Sequence, residues 1–480
     1  MVDQIKIRRN SLFSFLSTIA RVTANFILFW LIARYYNAEI FGQFTFAQTI
    51  STNLLFLADF GFDILLITEV SRNKSKAPSL FQKYYSIKFV FTIVALICMW
   101  LIALFIPISF ETRILIFLFS FFMVFSALSN FIFAFFKGYE ILEYEAYISF
   151  GINLILIISV LTLIYLKASI ILIGIFFIIS RVMGFGAAII YLKKINEKVS
   201  FILVYDELKN DKNKILVYGL FLLFNNLFFQ IDTLLLGIWK GEYEVGIYQS
   251  VFKLILLPLI IPDIFTNALM PTLSRLFSTD LEKWKVTGFF LNKFLAIIAV
   301  PISLIFFVFP DKIIVLLYGG EEFLNSIPVL RILAITFFLR FSFEAFSLML
   351  TTSNRISLRM WTVITATILN IFLNHFFISK YGALGAAIVS LISNSFVLLM
   401  YFFFLRNLVV SWLFNVKQFL FYTFSFSMFV LSWYLKETNF LLLVSLILIV
   451  WSLYVLLIFL DDRERKLIFS TELGKTFLEK

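Results

Sequence analysis

Charged and amide side chains recur at helical spacing inside long apolar segments of this chain. Arg21 and Asn25 lie four residues apart in one segment, and Gln249 and Lys253 lie four apart in another. Such spacing places both members of a pair on one face of a helix. Neither Arg21 nor Lys253 has an opposite charge one turn away on its own helix. Because a buried cation needs an anion, these two residues predict a site for an anionic ligand, with Asn25, Gln48 and Gln249 as neighbouring polar contacts.

Acidic residues form a second set of candidates, for binding a proton or Na⁺. Asp59 and Asp63 are four residues apart, Asp232 lies in a later segment, and Glu344 follows Arg340 by four residues. Other interpretations stay open. Asp59 and Asp63 are near a segment end and could cap it, and Arg340 with Glu344 could form a stabilising pair. Polar side chains in membrane helices also specify helix packing.

Several kinds of chemistry are excluded by the composition. The chain has no GxxxxGK[ST] motif, which excludes a P-loop ATPase. It has one histidine, His375, and one cysteine, Cys98, so it offers no His/Cys metal cluster, intrachain disulfide or histidine-based dyad. A carboxylate-only enzyme is not excluded. We expect no catalytic residue, no metal site and no cofactor beyond a possible coupling ion, H⁺ or Na⁺.

The elements that must position these residues are membrane-spanning helices. Hydrophobic residues make up 61% of the chain and include 65 Phe. A spanning helix needs about 20 mostly apolar residues, and the segments are too long and too uniformly apolar for barrel strands. We predict an all-α polytopic membrane protein with about fourteen spans. They are 11–33, 41–63, 84–107, 114–136, 146–166, 169–192, 214–238, 246–273, 288–309, 326–350, 357–378, 383–405, 417–435 and 439–460.

The positions of the Lys and Arg residues explain the net charge of +11 by membrane topology rather than by a nucleic-acid partner. If the N-terminus is cytoplasmic, most of the 40 Lys and Arg fall in loops on that side. Each opposite loop carries a single one, for example Arg34, Lys240 and Lys436. Positive charge concentrates on the cytoplasmic side of membrane proteins. The pattern predicts an even number of spans with both termini in the cytoplasm.

The series of apolar segments is interrupted at 193–213. This interruption predicts a cytoplasmic linker with a short amphipathic stretch around Phe201–Leu208. A faint repeat relates the two sides, since the second span opens with Glu39-Ile-Phe-Gly and the eighth with Glu244-Val-Gly. Two structurally related lobes are a common transporter plan. The predicted units are a lobe at 1–192, the linker at 193–213, a second lobe at 214–405, and two helices with a tail at 406–480.

Two sequence stretches carry a family resemblance. The run Leu57-Ala58-Asp59-Phe60-Gly61-Phe62-Asp63 and the later Lys380-Tyr381-Gly382-Ala383-Leu384-Gly385 resemble polysaccharide transporters of the O-antigen flippase (Wzx) type. That family belongs to the multidrug/oligosaccharidyl-lipid/polysaccharide (MOP) exporter superfamily, with the lipid II flippases and MATE antiporters. The resemblance implies two pseudo-symmetric six-helix lobes around a central cavity, plus two C-terminal helices, and alternating access.

The same resemblance implies a substrate and a place for it. The substrate would be an undecaprenyl-pyrophosphate-linked oligosaccharide, moved across the bacterial inner membrane. In lipid II flippases, helices 1 and 8 supply cavity cations, and here these helices carry Arg21 and Lys253. Helix 2 offers Gln48 where the lipid II flippases have a further arginine, which favours the O-antigen type. Membrane lipid is a further partner, as are a polysaccharide polymerase and a chain-length regulator, and a monomer is expected.

Two alternative functions stay open. One is a membrane enzyme of the same pathway, a polymerase or ligase, although the outer loops are short where such enzymes carry a sizeable one. The other is a MATE-type cation or drug antiporter, which would have acids rather than cations at the core of its cavity.

Overall fold

The computed structural model describes residues 2–195, 201, 212–413 and 416–460, and these are almost entirely helical, without strands. The predicted linker 193–213 and the tail 461–480 lie largely outside the described residues, as does most of Phe201–Leu208. The first half of the chain forms seven helices. They are α1 (Val2–Tyr35), α2 (Ala38–Asp59), α3 (Phe62–Arg72), α4 (Ala77–Phe105), α5 (Phe110–Gly138), α6 (Glu143–Tyr165) and α7 (Ile170–Ile195).

The second half forms nine helices. They are α8 (Lys212–Trp239), α9 (Glu242–Leu256), α10 (Ile260–Thr279), α11 (Leu281–Val308), α12 (Pro310–Tyr318), α13 (Ile327–Thr352), α14 (Ile356–Leu413), α15 (Val416–Tyr434) and α16 (Phe440–Tyr454). The helix α14 has a non-helical residue, Gly382, with φ 56° and ψ −132°, which separates two of the predicted spans. The short helix α12 has no counterpart in the sequence prediction.

Each of the fourteen predicted spans coincides with a helix, a pair of consecutive helices or, for 357–378 and 383–405, one of the two parts of α14. By length and composition, nine helices of the described chain can cross a membrane, or up to eleven if each of two bent pairs is one span. That count treats α14 as one span and does not include α1 or α15. Large apolar side chains cover the outside of the bundle, among them Phe105, Tyr165 and Tyr434, which are 81%, 86% and 85% exposed. Such a surface fits lipid rather than water, so this is a multi-pass membrane protein.

Two spans are broken, and each is the second span of its half of the chain. The helices α2 and α3 meet at 42°, and α9 and α10 meet at 43°. Pro258 and Pro262 lie at the second break and account for its bend, since proline removes a helical hydrogen bond. The first break was not predicted, because 41–63 reads as one continuous apolar span.

The helices pack as two lobes around a cavity, which confirms the predicted fold class. Helices α1–α7 pack mainly on one another, and so do α8–α14. The lobes meet where α2 packs on α8 and α9 and where α1 packs on α9, α10 and α12, while α15 and α16 pack on α11. The predicted domain boundaries stay predictions.

Candidate functional site

A cavity of about 380 Å³ lies between the two lobes. Helices α1 and α2 supply one wall, and α8, α9, α10 and α13 supply the other. The polar and charged lining residues are Thr18, Arg21, Asn25, Gln48, Lys253, Asp263, Arg340 and Glu344, and the remaining lining is apolar. Four of the five predicted ligand-binding residues therefore lie together in one cavity.

The cation Lys253 lies where the lobes meet. Its Nζ donates to Gln48 Oε1 at 3.2 Å and lies 4.0 Å from the centre of the Phe29 ring. Arg21 lies on α1, which contacts the α9 helix of Lys253, and it is exposed to the cavity. It is close enough to Arg181 for the two like charges to repel each other. Among the described residues, neither Arg21 nor Lys253 forms an ion pair with an acid. Besides Arg340, the cavity thus holds two cations that no described acid pairs with directly and that can meet a ligand.

The break between α9 and α10 shapes this cavity. Lys253 is in the last turn of α9, where the helix dipole favours a cation. Leu256 ends α9, and the residues after it leave the α9 direction and line the cavity, namely Leu257, Leu259, Ile260, Pro262 and Asp263. The prolines therefore position the site by turning the chain directly after its cation.

The opposite wall carries both signs of charge. Arg340 donates through Nε to Asn394 Oδ1 at 3.0 Å, and its guanidinium carbon lies 4.1 Å from the centre of the Phe229 ring. The suggested ion pair between Arg340 and Glu344 is not present among the described ion pairs, although both side chains line the cavity. Asp263 of α10 lies near Glu344, and the two carboxylates repel each other.

Gln249, the fifth predicted ligand-binding residue, does not line this cavity. Its side chain is fully buried, and Nε2 donates to Thr233 Oγ1 of α8 at 2.6 Å. Gln249 follows Gly246 by three residues, where α9 packs directly against α2. The lobes are in contact at this level, so a side chain here turns into the second lobe and the cavity begins one turn later.

The acid Asp232 is also outside the cavity lining. It is 3% exposed and accepts hydrogen bonds from Tyr248, Asn370 and Asn374 at 3.1, 3.0 and 2.7 Å. These donors come from α9 and α14, so Asp232 ties three helices of the second lobe together. A carboxylate surrounded by amide and hydroxyl groups can hold a proton or a small cation as well as specify packing.

Asp59 and Asp63 lie apart from the cavity and share one partner, Lys88 of α4, which is fully buried. Sequence analysis missed Lys88 because it lies one turn after the start of an otherwise apolar span. Its position within α4 was the available signal, since a lysine at that depth requires a counter-charge. No group of three or more His, Cys, Asp or Glu suited to a metal ion occurs in the described part of the chain.

Comparisons with solved structures identify the fold. The lipid II flippase MurJ in an inward closed conformation superposes with a TM-score of 0.70 and 17% identity, covering 92% of this chain and 98% of that one. An inward-facing multidrug resistance MATE transporter of the MOP superfamily gives 0.67 and 12%, covering 82% and 95%. A MOP superfamily transporter from Pyrococcus furiosus gives 0.60 and 13%, covering 84% and 95%.

Comparison with family profiles identifies the family to which the chain belongs. A profile described as polysaccharide biosynthesis protein matches residues 7–277, more than half of the chain, and the MatE profile matches residues 219–376. No curated protein matches the chain in sequence. The chain belongs to the polysaccharide biosynthesis protein family and has the fold of MOP-superfamily transporters.

Proposed function

We propose that this protein is a flippase that moves an undecaprenyl-pyrophosphate-linked oligosaccharide across the bacterial inner membrane by alternating access. One observation carries the proposal. Arg21 from the first lobe and Lys253 from the second line one cavity, and no described acid neutralises either by direct pairing. Two unneutralised cations in a membrane cavity are costly unless an anion binds there.

The chemistry of a lipid pyrophosphate fits this pair. A guanidinium can bind a phosphate group through two parallel hydrogen bonds, and an ammonium acts as a point charge. Each cation is unfavourable in the empty cavity, because burial penalises its charge, and a bound anion offsets that cost. That difference favours closure around a loaded cavity, which transport requires. Asn25 and Gln48 would meet sugar hydroxyls, while the prenyl chain stays in lipid.

The energy source is proposed to be an ion gradient, since the sequence contains no ATPase motif. Asp59, Asp63, Asp232 and Glu344 are the candidate sites for H⁺ or Na⁺. We further propose that the protein acts as a monomer with both termini cytoplasmic, beside a polymerase and a chain-length regulator. The likeness to a structure named lipid II flippase supports this class of substrate, and the match to the polysaccharide biosynthesis profile supports a sugar-bearing one.

A cation antiporter is the second candidate. Asp263 and Glu344 give the cavity an acidic side, and the MatE profile covers the helices that carry both. A polymerase or ligase stays the alternative from another class. The ligand separates these candidates, because a flippase site requires the anion and an antiporter site requires an organic cation.

Binding of the head group tests the proposal. Purified protein in detergent is titrated with undecaprenyl pyrophosphate bearing an oligosaccharide, and with an organic cation such as ethidium. We expect saturable binding of the lipid, weakened at least tenfold by Arg21→Ala and unchanged by Lys312→Ala, which removes an exposed cation outside the cavity. Saturable binding of ethidium alone would favour the antiporter.

A further inference from the structure

Asp59, Asp63 and Lys88 form a buried triad in the first lobe, away from the cavity. The Nζ of Lys88 donates to Asp59 Oδ1 at 2.9 Å and also to Asp63 Oδ1. The Lys88 side chain is 0% exposed, and those of Asp59 and Asp63 are 15% and 19% exposed. Two ionised carboxylates with one ammonium leave one excess negative charge inside the lobe, which is unfavourable in a region of low dielectric.

The two carboxyl groups are also neighbours of each other. The backbone N–H of Asp63 donates to Asp59 Oδ1 at 3.2 Å, and the Oδ1 atoms of both side chains contact the same Lys88 Nζ. A hydrogen bond between carboxyl groups requires that one of them carry a proton, since two carboxylates are both acceptors. The arrangement therefore suits one bound proton, which brings the formal charge of the triad to zero.

No further described ion pair balances the triad. Among the described residues, its ion pairs are those of Lys88 with Asp59 and with Asp63. Helix α5 contributes the Phe131 ring, whose centre lies 5.3 Å from Lys88 Nζ, and α8 packs through Gly219 against Phe60, which lies between the two acids in sequence. Charged groups on the surrounding elements interact elsewhere, in the pairs Glu69–Arg72, Lys74–Glu140 and Lys137–Glu145, and in the contact of Lys83 with the Tyr84 ring.

The triad spans the break between α2 and α3. Asp59 is the last residue of α2, and Asp63 is in the first turn of α3. Between them, Phe60 and Gly61 have φ values of 41° and 86°, in the left-handed region. That conformation is unfavourable for Phe60, so packing must hold it. Its ring lies 5.0 Å from the Phe91 ring and fills the space where a Gly219 side chain would lie.

We propose that the triad is a proton-binding site that controls the bend between α2 and α3. With one proton bound, the carboxyl groups hydrogen-bond across the break and hold the 42° bend. Loss of that proton to water leaves two like charges on opposite sides of the break, which favours their separation. Because Phe60 packs against Gly219 of α8, a change of bend reaches the second lobe at this contact.

In the proposed flippase, this site would supply the coupling proton. Only that role rests on the proposed function, whereas proton binding and control of the bend do not. The test therefore uses no substrate. Infrared difference spectroscopy on purified protein between about pH 5 and about pH 9 should detect a protonated carboxyl band that titrates. Asp63→Asn should remove the component of the band that the triad contributes, because Asp232 and Glu344 are unchanged, and Asp311→Asn, which changes an exposed carboxylate, should leave the whole band.

A distance measurement tests the link to the bend. In a Cys98→Ser background, spin labels at Ser71, near the end of α3, and at exposed Tyr147 on α6 report the position of α3. We expect the distance to shift with pH, and Asp63→Asn to keep the low-pH distance at every pH. Should Asp63→Asn not fold, Asp63→Glu should retain the band with a shifted midpoint. A distance independent of pH, or a carboxyl band that Asp63→Asn leaves unchanged, would leave the triad as a structural ion pair and overturn the proposal.

Discussion

Gly42 of α2 and Gly246 of α9 face each other where the two lobes meet, and neither position has room for a side chain. A Cβ on Gly42 would overlap the backbone carbonyl of Glu242 and lie 2.8 Å from the Gly246 nitrogen. A Cβ on Gly246 would overlap the carbonyl of Ala38 and lie 3.2 Å from the Gly42 nitrogen. This backbone contact joins the lobes about two helical turns before the cavity residue Lys253, so we expect it to close that end of the cavity and to separate if the protein alternates access.

Gly246→Val is expected to open this end. Overpacking of a tight contact typically costs about 1–3 kcal/mol, and here the cost falls on the closed state alone. Spin labels at Asn37 and Tyr243, which begin the two helices and are exposed, should move apart. Gly186→Val is the matched control, because a Cβ at Gly186 meets no atom within 4 Å. An unchanged distance in Gly246→Val would mean that the contact is not a gate.

Glu242 should hold the same end closed. Its Oε1 accepts from Ser109 N–H at 2.9 Å and from Thr112 Oγ1 at 2.8 Å, both on the first lobe. Hydrogen bonds to a charged group contribute about 1.5–3 kcal/mol each. Glu242→Ala is therefore expected to increase the population with separated labels. Glu39→Ala, which changes an exposed acid at the start of α2, should not. Equal effects from both variants would rule out a specific latch.

The cavity cation Arg21 should be essential for export. Arg21→Ala is expected to abolish export at normal membrane abundance, because the pyrophosphate loses its counter-charge. Arg21→Lys should retain part of the activity, since lysine keeps the charge and loses the paired hydrogen bonds. Surface polysaccharide and protein abundance are measured together in cells. Full export by Arg21→Ala at normal abundance would remove Arg21 from the mechanism.

The orientation in the membrane follows from the Lys and Arg distribution. Reporter fusions at Lys240 and Lys480 should lie on opposite sides, with Lys480 in the cytoplasm. Fusions that report the same side would contradict the predicted number of spans.

Sequence reasoning located the helices because each span must satisfy its backbone hydrogen bonds internally and cover itself with apolar side chains. It also predicted that one site contains Arg21, Asn25, Gln48 and Lys253, because the polar face of a membrane-spanning helix packs towards a cavity rather than towards lipid. Which helices pack against each other depends on the tertiary structure and cannot be predicted from the spacing of residues within one helix. Gln249 was misplaced for that reason, because four-residue spacing puts it beside Lys253 and does not indicate where the lobes touch.

Contacts between helices account for the other differences. The Lys88 interaction with Asp59 and Asp63 joins α4 to the break between α2 and α3, and no spacing rule links residues that far apart. The break itself depends on the left-handed backbone conformation of Phe60, which packing holds. A phenylalanine does not favour that conformation, so the residue type does not predict the break. The α9–α10 break was predictable, because Pro258 and Pro262 act on their own backbone.

Translocation of the lipid is the most direct test of the proposed function. Proteoliposomes containing the protein are loaded with a fluorescent undecaprenyl-pyrophosphate oligosaccharide, and the fraction crossing the bilayer is followed with an impermeant quencher. We predict movement with the native protein and with Lys312→Ala, and loss of movement in the double variant Arg21→Ala/Lys253→Ala. Equal movement by the native protein and the double variant, or none by the native protein under an imposed ion gradient, would contradict a flippase that binds pyrophosphate through these two cations.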